Sequence, residues 1–297
     1  MAEAPGHKLG QIIGEVLEQS VEPLLRAFAD KHHLYLDKKG PRGVRIGNTV
    51  TWTDRKGNSH DLDYVLERNG TDGSQGTPVA FIETAWRRYT KHSRNKAQEI
   101  QGAIVPLCET FSHVGPFCGA ILAGEFTDGA LSQLSSLGFT VLYFSYETVL
   151  AAFGHVDLDM SFEENTATTA LSRKVKAWKR LSPKRQTLVA TKLLELNGEE
   201  VEEFLTVLER AVTRRIEIVR ILPLYGHFAE CASVEEAIAF IQRYEERRRE
   251  AGPLVRYEIQ VVYANGDRIE GRFSGKQDAI KFLAPFLPPS DEGKGDV

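Results

Sequence analysis

Two acidic residues in the first third of the chain, Asp63 and Glu83, are the strongest candidates for chemistry. Asp63 lies in the alternating segment HDLDYVLE, and Glu83 follows the apolar run PVAFI. An ionised carboxylate at the end of a buried strand is costly unless something neutralises it. If the two strands are neighbours, the acids converge at one edge of a sheet, where a divalent cation relieves their repulsion. Oxygen ligands alone favour Mg²⁺, or Mn²⁺, over zinc.

A basic segment that follows Glu83 indicates the substrate. Residues 86–96, WRRYTKHSRNK, contain five Lys or Arg residues and no acid, in a chain of formal net charge −4. Trp86 and Tyr89 are interleaved with these cations, as at surfaces that hold a nucleic-acid backbone and stack its bases. A metal-binding acidic pair beside such a segment predicts phosphodiester hydrolysis, because the metal activates water and stabilises the developing charge.

The elements that position these residues form a predicted α/β core of about 150 residues. A helix is expected over residues 8–32, and NTVTWTD with HDLDYVLE form a hairpin around a Gly-Asn turn. PVAFIETA is a buried strand, and Ser93 is the expected start of the next helix. Strands and helices then alternate through GPFCGAILAGEF, DGALSQLSSLGF, TVLYFSY and ETVLAAFG.

The second half of the chain predicts two further regions. Residues 157–165 are an acidic linker, and residues 157–250 are expected to be helical, including EEVEEFLTVLERAVTRRIEIVRIL. Residues 251–297 are expected to form a small ββα module with a disordered tail, because Asn265-Gly266 is a strong hairpin signal. The predicted domains are therefore 1–156, 157–250 and 251–297, and no internal repeat is evident.

Composition bounds the class of protein. The chain has 297 residues, of which 42% are hydrophobic and 26% charged, which is typical of a soluble globular protein. A sequence pI near 6.1 argues against binding nucleic acid through overall charge. Three cysteines without a CxxC pair argue against structural zinc. With no secretory signal and no run of ~20 apolar residues, a cytoplasmic protein without a membrane partner is expected.

Residues 8 to about 153 resemble the PD-(D/E)xK nuclease superfamily, which includes restriction endonucleases and recombination or defence nucleases. In that superfamily one acid ends the second strand, and (D/E)-x-K lies on the third. Asp63 in DLDY matches the first acid, Glu83 in FIETA matches the second, and Gln98 resembles a glutamine that some members carry on the next helix. The extra acid that many members carry on the first helix would come from Glu15, Glu18 or Glu22.

The chain departs from the superfamily at the lysine, because the residue two positions after Glu83 is Ala85. Lys91 and Lys96 are the candidates for a relocated lysine. Lys96 is preferred, because a helix that begins near Ser93 would turn it back toward the edge of the sheet.

The resemblance implies an Mg²⁺-dependent endodeoxyribonuclease of restriction or anti-phage defence that acts on double-stranded DNA, with a homodimer as a common assembly. Asp63, Glu83 and the carbonyl of Thr84 would hold the metal, and Lys96 or Lys91 would orient water. Arg87, Arg88 and Arg94, with Gln98, would contact the nucleic acid.

Two alternatives remain open at this point. Ala85 favours a nucleic-acid-binding or regulatory protein that kept a nuclease fold and lost catalysis. The helical half could instead serve an interaction protein. For the individual signals, Asp61 and Asp63 could be solvated hairpin residues, and the basic segment could be an ordinary exposed loop.

Overall fold

A computed structural model describes residues 4–112, 114–224, 226–248, 252–264 and 266–287. They divide into two compact units, one formed up to residue 110 together with 116–212, and the other within 111–115 and from 213 onward. The predicted α/β class is confirmed. Within these ranges, none of the helices combines the length and the apolar character that spanning a membrane requires.

The first unit is built on a mixed sheet of five strands. Its strands, in spatial order, are Leu34–Lys38 (β1), Tyr64–Arg68 (β4), Thr77–Arg87 (β5), Phe117–Gly124 (β6) and Thr140–Ser145 (β7). The first three pair antiparallel, and β5–β6 and β6–β7 pair parallel. The middle strands are buried on both faces, as their apolar runs predict. The predicted hairpin, Val50–Thr53 (β2) with Ser59–Leu62 (β3), pairs as a separate ribbon.

Helices cover this sheet. They are Pro5–Lys31 (α1), Ser93–Thr110 (α2), Asp128–Ser136 (α3), Tyr146–Gly154 (α4), Thr168–Arg180 (α5), Pro183–Glu195 (α6) and Gly198–Val212 (α7). α1 buries a stripe that recurs at three- and four-residue spacing, and it packs against β1, β5, α5 and α6. Because α5 and α6 pack on α1, these helices belong to the same unit as the sheet, and the expected boundary at 156/157 does not separate two compact units.

The helix predicted over 199–222 is wrong in its second half. α7 ends at Val212, and Ile216–Pro223 form a strand (β8). The physical reason is the sequence IEIVRIL, whose β-branched residues favour a pleated surface and pair with a strand of the second unit. A uniformly helical region over 157–250 is therefore also wrong.

The second unit contains two ββα modules in succession. After β8 come Ala229–Cys231 (β9) and Val234–Arg243 (α8), then the short Arg247–Arg248 (β10) and Gly252–Pro253 (β11). The second module is Tyr257–Tyr263 (β12), Arg268–Phe273 (β13) and Lys276–Leu283 (α9), which confirms the predicted hairpin and helix. The sheet has the order β13-β12-β8-β9, so the first strands of both modules pair at its centre. The repeat is one of element order, which the residue identities alone do not reveal. Asn265 and the predicted disordered tail lie outside the described residues.

Candidate active site

Asp63 stands where the chain passes from the hairpin to the main sheet. The strand predicted over HDLDYVLE is interrupted there, because β3 ends at Leu62 and pairs with β2, whereas β4 begins at Tyr64 and pairs with β1 and β5. Asp63 therefore lies immediately before β4. The superfamily resemblance predicts this acid at the end of a strand, so the structure differs from that expectation. The ladder between β4 and β5 begins at the pair Tyr64 and Ile82, so polar groups of residues 63, 83 and 84 lie just beyond it.

These polar groups form hydrogen bonds with one another between the start of β4 and the second half of β5. The carboxylate of Asp63 accepts hydrogen bonds through Oδ2 from the main-chain N–H and the hydroxyl of Thr84, both at 2.8 Å. The Oε1 atom of Glu83 accepts from the main-chain N–H of Asp63 at 3.1 Å. The structure therefore brings Asp63, Glu83 and Thr84 together at one edge of the sheet, and each carboxylate has a second oxygen outside these bonds.

The two acids approach this edge from different sides. Alternation along β5 places Glu83 on the face of Phe81 and places Thr84 on the opposite face. Asp63 and Thr84 border a small cleft of about 180 Å³ beside α1, with Glu18, Glu22, Lys38, Lys39 and Tyr64. Glu83 is instead approached by a lysine of α2, so the site straddles the sheet edge.

Glu83 is strongly perturbed. Its side chain is buried, with the residue 7% exposed. Burial, and then the neighbouring charge of Asp63, raise the pKa of Glu83 to about 8, although Lys96 and the N–H of Asp63 act in the opposite direction. At neutral pH the Glu83 carboxyl therefore retains its proton in the absence of a further cation.

The structure distinguishes the two candidate lysines. Nζ of Lys96 lies 3.9 Å from Oε2 of Glu83, and the Lys96 side chain is 18% exposed. α2 begins at the buried Ser93, so Lys96 falls at the end of the first helical turn, on the side of the sheet. Lys91 lies on the preceding 3₁₀ turn, Thr90–His92, is 58% exposed and pairs with Glu164. Geometry places Lys96 between Glu83 and the exposed Glu99, whose Oε2 lies 3.6 Å from Nζ, whereas Lys91 lies on an exposed ion pair.

The α1 acids also differ from one another. Burial and the charge of Asp63 raise the pKa of Glu18. Glu22 is engaged with Lys38 at 2.9 Å and Arg26 at 3.2 Å. Glu18 is therefore the α1 acid that best fits an additional site residue.

Sequence reasoning missed the cations that lie opposite these acids. Lys38 and Lys39, at the end of β1, line the cleft beside Asp63. The antiparallel register sets Lys38 opposite Tyr64, which places this end of β1 beside Asp63. Their only signal in the sequence is a pair of lysines before Gly40, and it gains meaning only from the β1–β4 pairing.

Some of the residues predicted to contact nucleic acid are accessible to solvent, whereas others already form hydrogen bonds or ion pairs within the chain. Arg88 is 10% exposed, and its guanidinium donates to the carbonyl of Phe162 at 2.7 Å and to Glu163 at 2.5 Å. Arg87 is 34% exposed, and Arg94 and Gln98 are exposed on α2. Gln98 lies roughly 200° around the helix from Lys96, so the two side chains leave it on different sides. Arg87 and Arg94 are thus the accessible phosphate candidates.

The donors at the edge fit magnesium through two carboxylates. Across the described ranges, no group of three or more His, Cys, Asp or Glu side chains is placed to hold a metal ion. Mg²⁺ is commonly held by one or two carboxylates together with water and substrate phosphates. The N–H and C=O of a strand residue point to the same side, so the Thr84 carbonyl lies on the side where its N–H meets Asp63. Burial and the charge of Asp63 raise the pKa of Glu83, and a cation bound here would lower it.

No protein-family model matches the chain, and no curated protein is significantly similar to it. Among solved structures, the crystal structure of a protein of unknown function, AF1548, aligns with 66% of this chain and 97% of its own length, at 11% identity and a TM-score of 0.27. A likeness this distant supports no inference about the fold or activity of this chain.

Proposed function

We propose that the chain is an Mg²⁺-dependent endonuclease that hydrolyses phosphodiester bonds of DNA, with double strands as the favoured substrate. One observation carries the proposal: the Glu83 carboxylate accepts the main-chain N–H of Asp63 at 3.1 Å, and the Lys96 ammonium lies 3.9 Å from Glu83. The order of a helix, three antiparallel sheet strands with the β2–β3 ribbon inserted after the first, a helix and alternating strands and helices supports the resemblance to PD-(D/E)xK nucleases. A role in restriction or anti-phage defence, and a homodimer, follow from that resemblance alone.

Each residue of the edge has a role in this proposal. Asp63, Glu83 and the Thr84 carbonyl would hold Mg²⁺ (or Mn²⁺), which when bound supplies charge stabilisation and an acidified water. The N–H and hydroxyl of Thr84 fix the Asp63 carboxylate in place. Lys96 donates a hydrogen bond to the attacking water and orients it toward phosphorus, and its charge offsets the negative charge that grows on the phosphate oxygens.

The basic residues beyond Glu83 hold the strand. Arg87 and Arg94 are accessible, so both can contact backbone phosphates without breaking a buried interaction. Contacts of this kind release counterions, and we therefore expect affinity to fall steeply with salt. Binding that does not respond to salt would exclude these two arginines from phosphate contact.

Cleavage of supercoiled plasmid with Mg²⁺, with Mn²⁺ and with EDTA tests the activity. We expect nicked or linear products with either metal, none with EDTA, and none from Glu83→Ala. Glu195→Ala is the matched control, because Glu195 lies exposed on α6 and pairs with Lys192 on the same helix. Cleavage that survives EDTA, or that Glu83→Ala leaves unchanged, would refute the assignment of the site.

A second candidate is a nuclease fold that binds nucleic acid without cutting it. Ala85 at the expected lysine position favours this alternative. This second candidate would be supported if the chain bound DNA in a salt-sensitive manner but cleaved it with neither Mg²⁺ nor Mn²⁺, and if Lys96→Ala bound DNA as tightly as the wild type.

A further inference from the structure

A second cleft of the first unit lies beyond Glu83, toward the end of β5. It has a volume of about 560 Å³, within the range of about 300–1,000 Å³ that small-molecule sites occupy. Its walls include Trp86 and Tyr89 from the end of β5, Phe162 from the acidic linker, and Gly6 and Gly10 of α1. We call this space the aromatic cleft.

Arg88 organises the aromatic wall. Its guanidinium carbon lies 4.0 Å from the centre of the Tyr146 ring, 5.0 Å from that of Tyr89 and 5.6 Å from that of Phe162. Its hydrogen bonds to the Phe162 carbonyl and to Glu163 tie the linker to the end of β5. Arg88 is thus a positioning residue that holds Tyr89 and Phe162 on the cleft before any ligand arrives.

Trp86 is seated between two glycines. A Cβ at Gly10 would lie 3.6 Å from Trp86 Nε1, so this turn of α1 lies within ordinary van der Waals reach of the indole. A Cβ at Gly124 would lie 2.6 Å from the other edge of the ring and 2.1 Å from the Arg87 carbonyl oxygen, and Gly124 has a φ of +98°. Backbone therefore flanks the indole on both sides, which keeps it beside the cleft.

The composition of the lining selects a flat, π-rich ligand. Leu171 is the one aliphatic side chain among the described residues that line the cleft, so a lipid tail or an aliphatic peptide anchor would find few partners. Aromatic rings stack on any nucleobase, because every base has a π face. The two arginines in this lining, Arg87 and Arg88, supply cations, and Arg87 is the one accessible to a phosphate.

We propose that the aromatic cleft binds an unstacked nucleobase of a nucleic-acid strand, with Arg87 on the adjoining phosphate. This proposal rests on the proposed nuclease function and names a feature of its substrate. Trp86 follows Thr84 by two residues, so both side chains lie on the same face of β5, about 7 Å apart along the strand, and one bound strand reaches both the cleft beside Asp63 and the aromatic cleft. Glu163 and Glu164 line the linker side of the cleft and are paired with Arg88 and Lys91, whereas Arg87 is accessible to a phosphate.

The test is binding of single-stranded oligodeoxyadenylate to the full chain in EDTA, followed by tryptophan fluorescence and by anisotropy of a labelled strand. Trp52 and Trp178 are 5% and 6% exposed, whereas Trp86 is half-buried, so a ligand in the cleft quenches mainly Trp86. We expect quenching in the wild type, and an affinity about five- to hundredfold lower in Tyr89→Ala and Trp86→Ala. Trp86→Phe keeps a stacking ring and should bind within about threefold of the wild type.

The control is Phe228→Ala, which removes an aromatic ring that is 54% exposed in the second unit. Tyr89→Ala is the decisive variant, because a half-buried side chain at the strand end can be removed with little risk to folding. Unchanged binding in Tyr89→Ala, or an equal loss of affinity in Phe228→Ala, would overturn the assignment of the cleft. Either result would leave the proposed nuclease function intact if the wild type cleaves plasmid. Free AMP that binds as tightly as the oligonucleotide would overturn the assignment to a strand. A wild type that neither binds nor cuts nucleic acid would refute the proposed function as well.

Discussion

Replacing Glu83 with glutamine should remove a pH dependence from the stability of the first unit. Glutamine has nearly the same size, and its side-chain oxygen can still accept the N–H of Asp63. It carries no titratable proton. The comparison of the wild type with Glu83→Gln therefore isolates the ionisation of one buried carboxyl group, without opening a cavity at the sheet edge.

The sign and size follow from the pKa. An unperturbed glutamate carboxyl group has a pKa of about 4.5, and burial beside Asp63 raises the pKa of Glu83 to about 8 in the folded chain. The folded state therefore binds the proton more tightly, so this contribution is fully present below about pH 4.5 and is lost as the pH rises through about 8. One pKa unit is worth about 1.4 kcal/mol, so the wild type should lose about 4–5 kcal/mol relative to the variant over this window.

Urea unfolding in EDTA, between about pH 5 and about pH 9, measures the difference. Trp52, Trp86 and Trp178 all lie in the first unit, so tryptophan fluorescence reports on that unit. Millimolar Mg²⁺ should favour the ionised carboxylate and so raise the stability of the wild type above pH 7, with little effect on the variant. Parallel pH profiles for the two proteins would refute the raised pKa, and identical responses to Mg²⁺ would refute a metal held by Glu83.

Three further outcomes are expected. Lys96→Ala should lower the cleavage rate constant at least about a hundredfold, because it removes the donor nearest the acids, whereas Lys91→Ala should stay within about threefold in the same assay. Equal losses would refute the choice between them. Glu164→Gln releases Lys91 and leaves the bond between Glu163 and Arg88 intact, so it should tighten DNA binding several-fold in anisotropy titrations and steepen the slope of log K against log salt by about one. An unchanged affinity and slope would show that Glu164 does not compete with phosphate for Lys91. Arg42→Ala should destabilise the first unit by about 3–5 kcal/mol in urea unfolding, because its side chain is 2% exposed and bridges two buried carboxylates. A loss below about 1 kcal/mol would contradict that role.

Local signals predicted the elements that carry the acids and the lysine. The apolar run before Glu83 predicted a buried strand, and β5 is buried along most of its length. Ser93 predicted the helix start that turns Lys96 toward the sheet. These features could be predicted because residues close in the sequence determine them through burial and helical periodicity.

Features that depend on strand pairing could not be predicted in this way. The break at Asp63 arises because β3 pairs with β2 while β4 pairs with β1 and β5, and no residue in HDLDYVLE signals that change of partner. Arg88 looks like any exposed cation in WRRYTKHSRNK, yet it is fixed by a linker more than seventy residues further along the chain. The sequence of β8 also fits a helix, because its apolar residues are dense enough to satisfy either period.

The alanine at position 85 does not leave Glu83 without a neighbouring lysine, because Lys96 of α2 lies near its carboxyl group. The residue is 6% exposed and follows Glu83 on the same face of β5, so a lysine there would carry its stem through packed core. Lys96 approaches the carboxylate from α2 instead, and its side chain is 18% exposed. A buried carboxyl group is stabilised in its ionised form by positive charge near its oxygens. This requirement constrains the position of the lysine Nζ, whereas the lysine Cα can lie on a different element. For the proposed nuclease, the alanine at position 85 therefore weighs less against catalysis than the distance of 3.9 Å between Lys96 and Glu83 weighs for it.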